Sequence, residues 1–150
     1  LKWPNDVCIE GRKVCGVLAE TSIRNECIEW VVLGIGINVN LGPPSSMMVN
    51  RTATSLATEV GRKVDRLALL VNLSKELDAI YSELGSQAIL DAWEARMLWR
   101  GKLVRVLSSS SSSTDEGVLL GLTPEGLMRL QHKDGGEVAV SDEHVSLVRG

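Results

Sequence analysis

The run Val31-Val32-Leu33-Gly34-Ile35-Gly36-Ile37-Asn38-Val39-Asn40 limits the fold of this chain more than any other stretch. If residues 28 to 39 form a strand, the two-residue period puts Gly34, Gly36 and Asn38 on one face and Ile35, Ile37 and Val39 on the other. Glycine inside a strand gives up packing and loses backbone entropy on folding. A face bared in this way fits something flat lying against it, either a ligand or another backbone. Asn38 offers that face one amide donor and one acceptor.

The residues before this run are arranged to pair with it. Lys2 to Ile9 reads as an extended segment interrupted by Pro4, and Glu10-Gly11-Arg12-Lys13 carries the chemistry of a reversal. Val14 to Ser22 gives a second strand, Arg24-Asn25-Glu26 a second turn, and Ile28 to Val39 the third strand of an antiparallel meander. Asn40 to Arg51, with Gly42-Pro43-Pro44-Ser45-Ser46, is a loop of the length that binding loops have. Thr54 or Ser55 then caps a short helix ending at Gly61. Asp65 caps a longer helix reaching Leu84, whose Leu67, Leu70, Val71, Leu77, Ile80, Tyr81 and Leu84 predict an inward packing stripe. A third helix starts at Ser86, with Ile89, Leu90, Trp93, Met97 and Leu98 facing inward and Gly101 beyond its end.

After Gly101 the pattern changes to short strands with tight turns, at 102–107, 117–122, 127–131, 138–140 and 144–148. Such spacing predicts a small, partly open barrel of about 50 residues. Ser108 to Ser113 is a low-complexity serine run at a hairpin tip and is assigned no chemistry.

Composition excludes several function classes. The chain has 150 residues, enough for one ordinary domain or a domain plus a satellite, and 44% of them are hydrophobic, enough for a core. Its 16 basic and 19 acidic residues leave a formal charge of -3 without long runs of either sign, so nucleic acid is not the expected partner of this segment. The apolar run from Trp30 to Ile37 is far below the ~20 residues that span a bilayer, and no charged-then-apolar leader opens the chain. These features predict a cytoplasmic protein with no membrane contact. Cys8, Cys15 and Cys27 show no Cys-x-x-Cys spacing and are expected to be buried free thiols, while His132 and His144 stand alone and suggest no metal site. Leu1 lies within an extended segment with no initiator Met, as in a fragment of a longer protein.

Gly34-Ile35-Gly36-Ile37-Asn38-Val39 is not a dinucleotide fingerprint. The third Gly is replaced by Val39, and Pro43-Pro44 stand where a helix should begin. There is no phosphate-binding Gly-Lys-Ser/Thr loop, no His-Glu-x-x-His and no Gly-x-Ser-x-Gly. What remains is Lys2-Trp3-Pro4-Asn5-Asp6, then Arg12-Lys13-Val14-Cys15-Gly16-Val17-Leu18-Ala19-Glu20, then the Gly-x-Gly-x-Asn strand. In this order and spacing the three resemble the catalytic domain of the biotin protein ligases, or biotin-[acetyl-CoA-carboxylase] ligases. The match is specific over residues 1 to about 40. Over the remainder it rests on the order of loop, helices and small terminal barrel.

The resemblance implies an α+β fold. Residues 1–100 would be the later part of a class II synthetase-like mixed or antiparallel sheet with packed helices, and 101–150 a small SH3-like β-barrel. It implies ATP-dependent attachment of biotin to a lysine of a biotin carboxyl carrier protein through biotinyl-5'-adenylate, with ATP and Mg²⁺ as cofactors and a homodimer as an assembly option. Lys13 matches the catalytic lysine, whose ammonium would offset the anionic carboxylate and phosphate. Lys13, Gly16, Leu18, Gly34 and Gly36 match biotin-binding positions. Lys2, Asn5, Asp6, Ile37 and Asn38 match positions around the nucleotide, and Asn5 and Asp6 the hard oxygen donors that suit Mg²⁺. The loop in the 40s corresponds to a segment that folds over adenine, but here it offers Met47, Met48 and Val49 and no aromatic residue. The family's upstream half, with a Gly-Arg-Gly-Arg-type loop, is not in this sequence. The chain alone is therefore expected to be inactive, with an unpaired sheet edge prone to self-association. Ser146-Leu147-Val148-Arg149 carries its Arg one place later than the family's Ser-Leu-Arg, so Arg149 is assigned no contact. A lipoate ligase or lipoyl transferase, on a similar fold, and a non-catalytic protein-binding module are the alternative readings.

Overall fold

The computed structural model describes residues 1–42, 52–108, 114–141 and 145–149. The chain divides into two compact units, one of Asn5–Ser74 and one of Leu1–Pro4 with Lys75–Gly150.

In the first unit β1 (Asp6–Ile9), β2 (Arg12–Arg24) and β3 (Cys27–Ile37) form an antiparallel sheet in the order β1-β2-β3. The expected meander is present, with two adjustments. Glu10 (φ 49°) and Gly11 (φ 77°) make the first reversal by themselves, as Asn25 (φ 51°) and Glu26 (φ 63°) make the second. Positive φ at both central residues matches the twist of the flanking strands. Arg12 and Lys13 therefore belong to β2 rather than to the turn, and β1 starts at Asp6 rather than Lys2.

Helix α1 (Leu56–Val60) is capped by Ser55, whose hydroxyl accepts from Thr58 N at 3.3 Å, and it stops at Gly61 in the left-handed region. Helix α2 (Arg66–Tyr81) begins at Asp65, whose Oδ1 accepts from Leu67 N at 2.8 Å and Ala68 N at 3.1 Å. The predicted inward stripe is not inward. No residue of α2 is buried, and Leu67 is 70% exposed. Periodicity decides that a helix forms and which side of it is apolar, but burial also needs an opposing surface. Strand β3 is similar: Ile28, Trp30, Val31, Val32 and Leu33 are all exposed, and β3 is an edge of its sheet among the described residues.

The second unit contains α3 (Gln87–Glu94), capped by Ser86, and a five-stranded antiparallel sheet in the order β7-β6-β5-β4-β8. Its strands are β4 (Leu103–Ser108), β5 (Thr114–Leu122), β6 (Met128–Gln131), β7 (Glu137–Val140) and β8 (Val145–Arg149). All five expected strands form. Among the described residues they make an open ladder with β7 and β8 at its edges and no closed barrel. Alternating inward side chains build the core: Val104 and Val106 from β4, Leu119 from β5, Met128 and Leu130 from β6. Each such side chain contributes roughly 1.5–3 kcal/mol by leaving water.

Trp3 joins this core, and its indole N–H donates to Gly126 O at 3.3 Å. Met97 also joins it, from the turn after α3, because the helix ends at Glu94 rather than continuing to Leu98. A bulge at Leu120 frees the N–H of Leu122, which donates to Glu94 Oε1 at 2.6 Å, and Arg100 pairs with the other carboxylate oxygen at 2.9 Å. A Cβ on Gly121 would meet that carboxylate, which would then have to shift.

Candidate active site

The site lies in the Asn5–Ser74 unit, and its geometry starts from an irregularity in β2. Asp6 pairs with Gly16 and Val7 with Cys15, but Cys8 pairs with Lys13, leaving Val14 as an extra residue. A bulge of this kind reverses the alternation beyond it. Strict alternation would send Lys13 to the side of Cys15 and Val17. The bulge brings it to the side of Asp6 and Gly16 instead, and the Lys13 ammonium lies 3.0 Å from where a Gly16 Cβ would stand.

Register carries this face across to β3, because Gly16 pairs with Gly36 and Leu18 with Gly34. A Cβ on Gly34 or Gly36 would meet nothing closer than 3.6 or 3.8 Å, so the glycine face is open. An open cleft of about 570 Å³ lies here, lined by Asn5, Lys13, Gly16 and Leu18 and, from β3, by Gly34 and Gly36, with Val17 and Ile35 completing the wall. It combines one ammonium, one amide and an apolar floor, a set suited to an anionic ligand with an apolar body.

The Lys13 ammonium pairs with Asp6 Oδ1; the lysine side chain is 46% exposed and the aspartate 18%. That oxygen is buried and receives no hydrogen bond of regular geometry, so the ion pair is what meets its charge. With the lysine half in solvent, the pair adds no more than ~1 kcal/mol of stability. Its main effect is to orient the ammonium. Cys15, buried behind the cleft, has its thiol pushed up from the ordinary value by burial, while the Lys13 ammonium pulls it the other way.

The segment 52–54 meets β2 in a parallel bridge between Lys13 and Ala53. Lys13 N donates to Thr52 O at 2.9 Å, and Lys13 O accepts from Thr54 N at 2.8 Å. Thr54 is buried; its carbonyl accepts from Asn38 Nδ2 at 3.0 Å, and its hydroxyl donates to Glu59 Oε1. The second oxygen of Glu59 accepts from Arg12 Nη2 at 3.0 Å. Asn40 and Val64 exchange two bonds of 2.9 Å, fixing the chain after β3 to the start of α2.

Most of the expected site residues therefore meet at one cleft: Asn5, Lys13, Gly16, Leu18, Gly34 and Gly36 line it, and Asp6 stands behind it. Asn38 commits its amide donor to Thr54 rather than to the cleft. Ile37 pairs with Cys15 and so faces the opposite side from Gly36. Lys2 belongs to the other unit, with its ammonium 5.6 Å over the Trp99 ring. The expected adenine loop lies outside the described residues over 43–51, as do most of the serine run and His144. The cysteines form no disulfide, but Cys27 is exposed rather than buried because it follows the turn at the far end of the hairpin. The sequence reading missed Arg12, Thr54 and Glu59 as a group. Its one hint was the reading of Thr54 as a possible helix cap, and in the structure the Thr54 hydroxyl bonds Glu59 Oε1.

Among the described residues no three His, Cys, Asp or Glu side chains cluster as a metal site. Asp6 is already paired with Lys13, so Asn5 and Asp6 do not make a cage for Mg²⁺. No described helix is long and apolar enough to cross a membrane.

Residues 1–38 match the biotin/lipoate A/B protein ligase family. The chain is 31% identical over 149 residues to the biotin-[acetyl-CoA-carboxylase] ligase of Paracoccus denitrificans, covering 95% of this chain and 61% of that protein. The chain is thus similar to this family at its start and to its ligases over most of its length. It is also 32% identical over 141 residues to the bifunctional ligase/repressor BirA of Bacillus subtilis, covering 90% of this chain and 42% of that protein. Among solved structures, the biotin protein ligase from Aquifex aeolicus in complex with biotin and ATP superposes with a TM-score of 0.80 at 29% identity, covering 100% of this chain and 62% of that one. The chain spans only about half the length of the curated relatives it matches. The α+β architecture with antiparallel sheets is that of the biotin protein ligases.

Proposed function

We propose that the full-length protein carrying this chain attaches biotin to a lysine of a biotin carboxyl carrier protein, using ATP. The observation that carries the reading is the Lys13 ammonium, held by Asp6 on the glycine face beside an open cleft. In the first step a biotin carboxylate oxygen attacks the α-phosphorus of ATP. The bond from that phosphorus to the bridging oxygen breaks, and pyrophosphate leaves. Two anions must approach each other, and a fixed ammonium lowers that barrier by several kcal/mol. In the second step the neutral amine of the carrier lysine attacks the acyl carbon, AMP leaves with the bonding pair, and the amine proton passes to solvent.

In this reading Lys13 is catalytic, while Gly16, Leu18, Gly34 and Gly36 give biotin a flat apolar seat. Lys2, Asn5, Asp6, Ile37 and Asn38 remain proposed for the nucleotide side, of which Asn5 alone lines the cleft. Mg²⁺ would arrive on the ATP phosphates, as suits an ion that keeps several waters and is bound by few protein groups. Residues 1–100 would then be the later part of a class II synthetase-like catalytic domain and 101–150 an SH3-like one, in a cytoplasmic protein compatible with a homodimer.

The test combines full-length protein, biotin, ATP and a carrier domain. Biotin-dependent pyrophosphate release together with biotin on a single carrier lysine is the expected result. No biotin-dependent release, or release driven by lipoate instead, would contradict the proposal.

A further inference from the structure

We propose that Glu59 is a positioning residue for Lys13, an inference that rests on the adenylating role just given to that lysine. The bulge at Val14 interrupts the β1–β2 ladder next to Lys13, so the direction of the lysine side chain depends on anchors outside that ladder. For Lys13 these anchors converge on one carboxylate. Arg12, the preceding residue, donates to Glu59 Oε2 at 3.0 Å, and Thr54, whose N–H holds the Lys13 carbonyl at 2.8 Å, donates its hydroxyl to Glu59 Oε1.

Glu59 is well placed for this work. Its side chain is only 14% exposed, and α1 is capped by Ser55 and closed by Gly61 so that the carboxylate comes from a fixed turn. Arg12 has a second partner in Glu10 at 3.3 Å, but Glu10 is 80% exposed and provides little anchorage. Removing the charge at Glu59 therefore loosens both sides of Lys13 at once. A misplacement of about 1 Å is enough to cost on the order of 100-fold in rate.

The experiment is a double-mutant cycle on the full-length protein, read as biotin-dependent exchange of pyrophosphate into ATP. Glu59→Gln is expected to lower kcat about 10- to 100-fold with the KM values for biotin and ATP within about twofold of wild type. In a Lys13→Ala background the same substitution is expected to cost less than about twofold, because a residue acting through Lys13 has nothing left to position. Equal losses in both backgrounds, or no loss in either, would overturn the inference. If Glu59→Gln does not fold, Arg12→Gln takes its place in the cycle with the same expected coupling, and additivity there overturns the inference equally. A wild-type protein without biotin-dependent exchange would remove the adenylation reading itself, an outcome distinct from active wild type with additive variants.

Discussion

A Cβ on Gly16 would stand 3.0 Å from Lys13 Nζ and 3.1 Å from Lys13 Cε, so the ammonium occupies the space this glycine leaves. Glycine here serves the lysine of its own strand before it serves any ligand. Gly16→Ala meets only the flexible end of a side chain, so the fold should tolerate it, with a change under about 1 kcal/mol in urea unfolding. The ammonium must move, and adenylate formation should fall at least about tenfold, mainly in kcat. Gly16→Ala with wild-type kcat would mean that the lysine does not act from this place.

Asp6 separates orientation from stability. Because Lys13 is half exposed, Asp6→Asn should change unfolding stability by no more than ~1 kcal/mol. The ammonium would lose the charge that fixes it, and the adenylation rate should drop by more than that stability change accounts for. Parallel urea melts and single-turnover rates check the comparison.

The cysteines should differ in reactivity and in their effect on pH stability. Cys27 is exposed and should alkylate readily near neutral pH, while buried Cys15 should lag far behind. Burial raises the Cys15 thiol above its ordinary 9.0, so the folded chain binds that proton more tightly than the unfolded one. The resulting stabilisation is present below 9.0 and is lost as pH rises through the raised value. Melts of wild type and Cys15→Ala at pH 7.5 and pH 10 should differ in slope, with wild type losing more stability at the alkaline end.

Leu119 and Leu67 test the assignment of the core. Leu119 is fully buried and Leu67 is 70% exposed, although Leu67 sits at a position the sequence pattern marks as inward. Leu119→Ala should cost ~2–5 kcal/mol and Leu67→Ala no more than about 0.5 kcal/mol in the 150-residue chain. Tryptophan fluorescence during urea unfolding reads the first, since Trp3, Trp93 and Trp99 belong to or pack against that core.

Local chemistry was legible in the sequence wherever neighbours along the chain decide the outcome. Strand period and turn signals located β2, β3 and the strands after Gly101, and Thr54 or Ser55, Asp65 and Ser86 marked the helix starts. Gly34 and Gly36 marked an open face because the period of a strand leaves them no alternative. What alternation could not show was its own interruption: the extra residue at Val14 becomes visible only when β1 is paired with β2, and it alone puts Lys13 on the glycine side. The contact of Arg12 with Glu59 joins residues 47 positions apart, and no local pattern encodes it. Trp3 sits inside a motif shared with Asn5 and Asp6 yet packs in the core of the other unit, so one short motif serves two structural roles. The stripe on α2 is apolar as its period predicts, yet no residue of the helix is buried, since burial depends on a surface outside the helix.

Removal of the Lys13 charge with most of the side chain kept is the most direct test of the proposed chemistry. Lys13→Met in the full-length protein, assayed by single-turnover formation of biotinyl-5'-adenylate, should stay folded, lose about 1–3 kcal/mol because the buried Asp6 Oδ1 is left unpaired, and lose about 100- to 1,000-fold in rate. A folded Lys13→Met protein that makes adenylate at the wild-type rate would contradict a catalytic role for this ammonium.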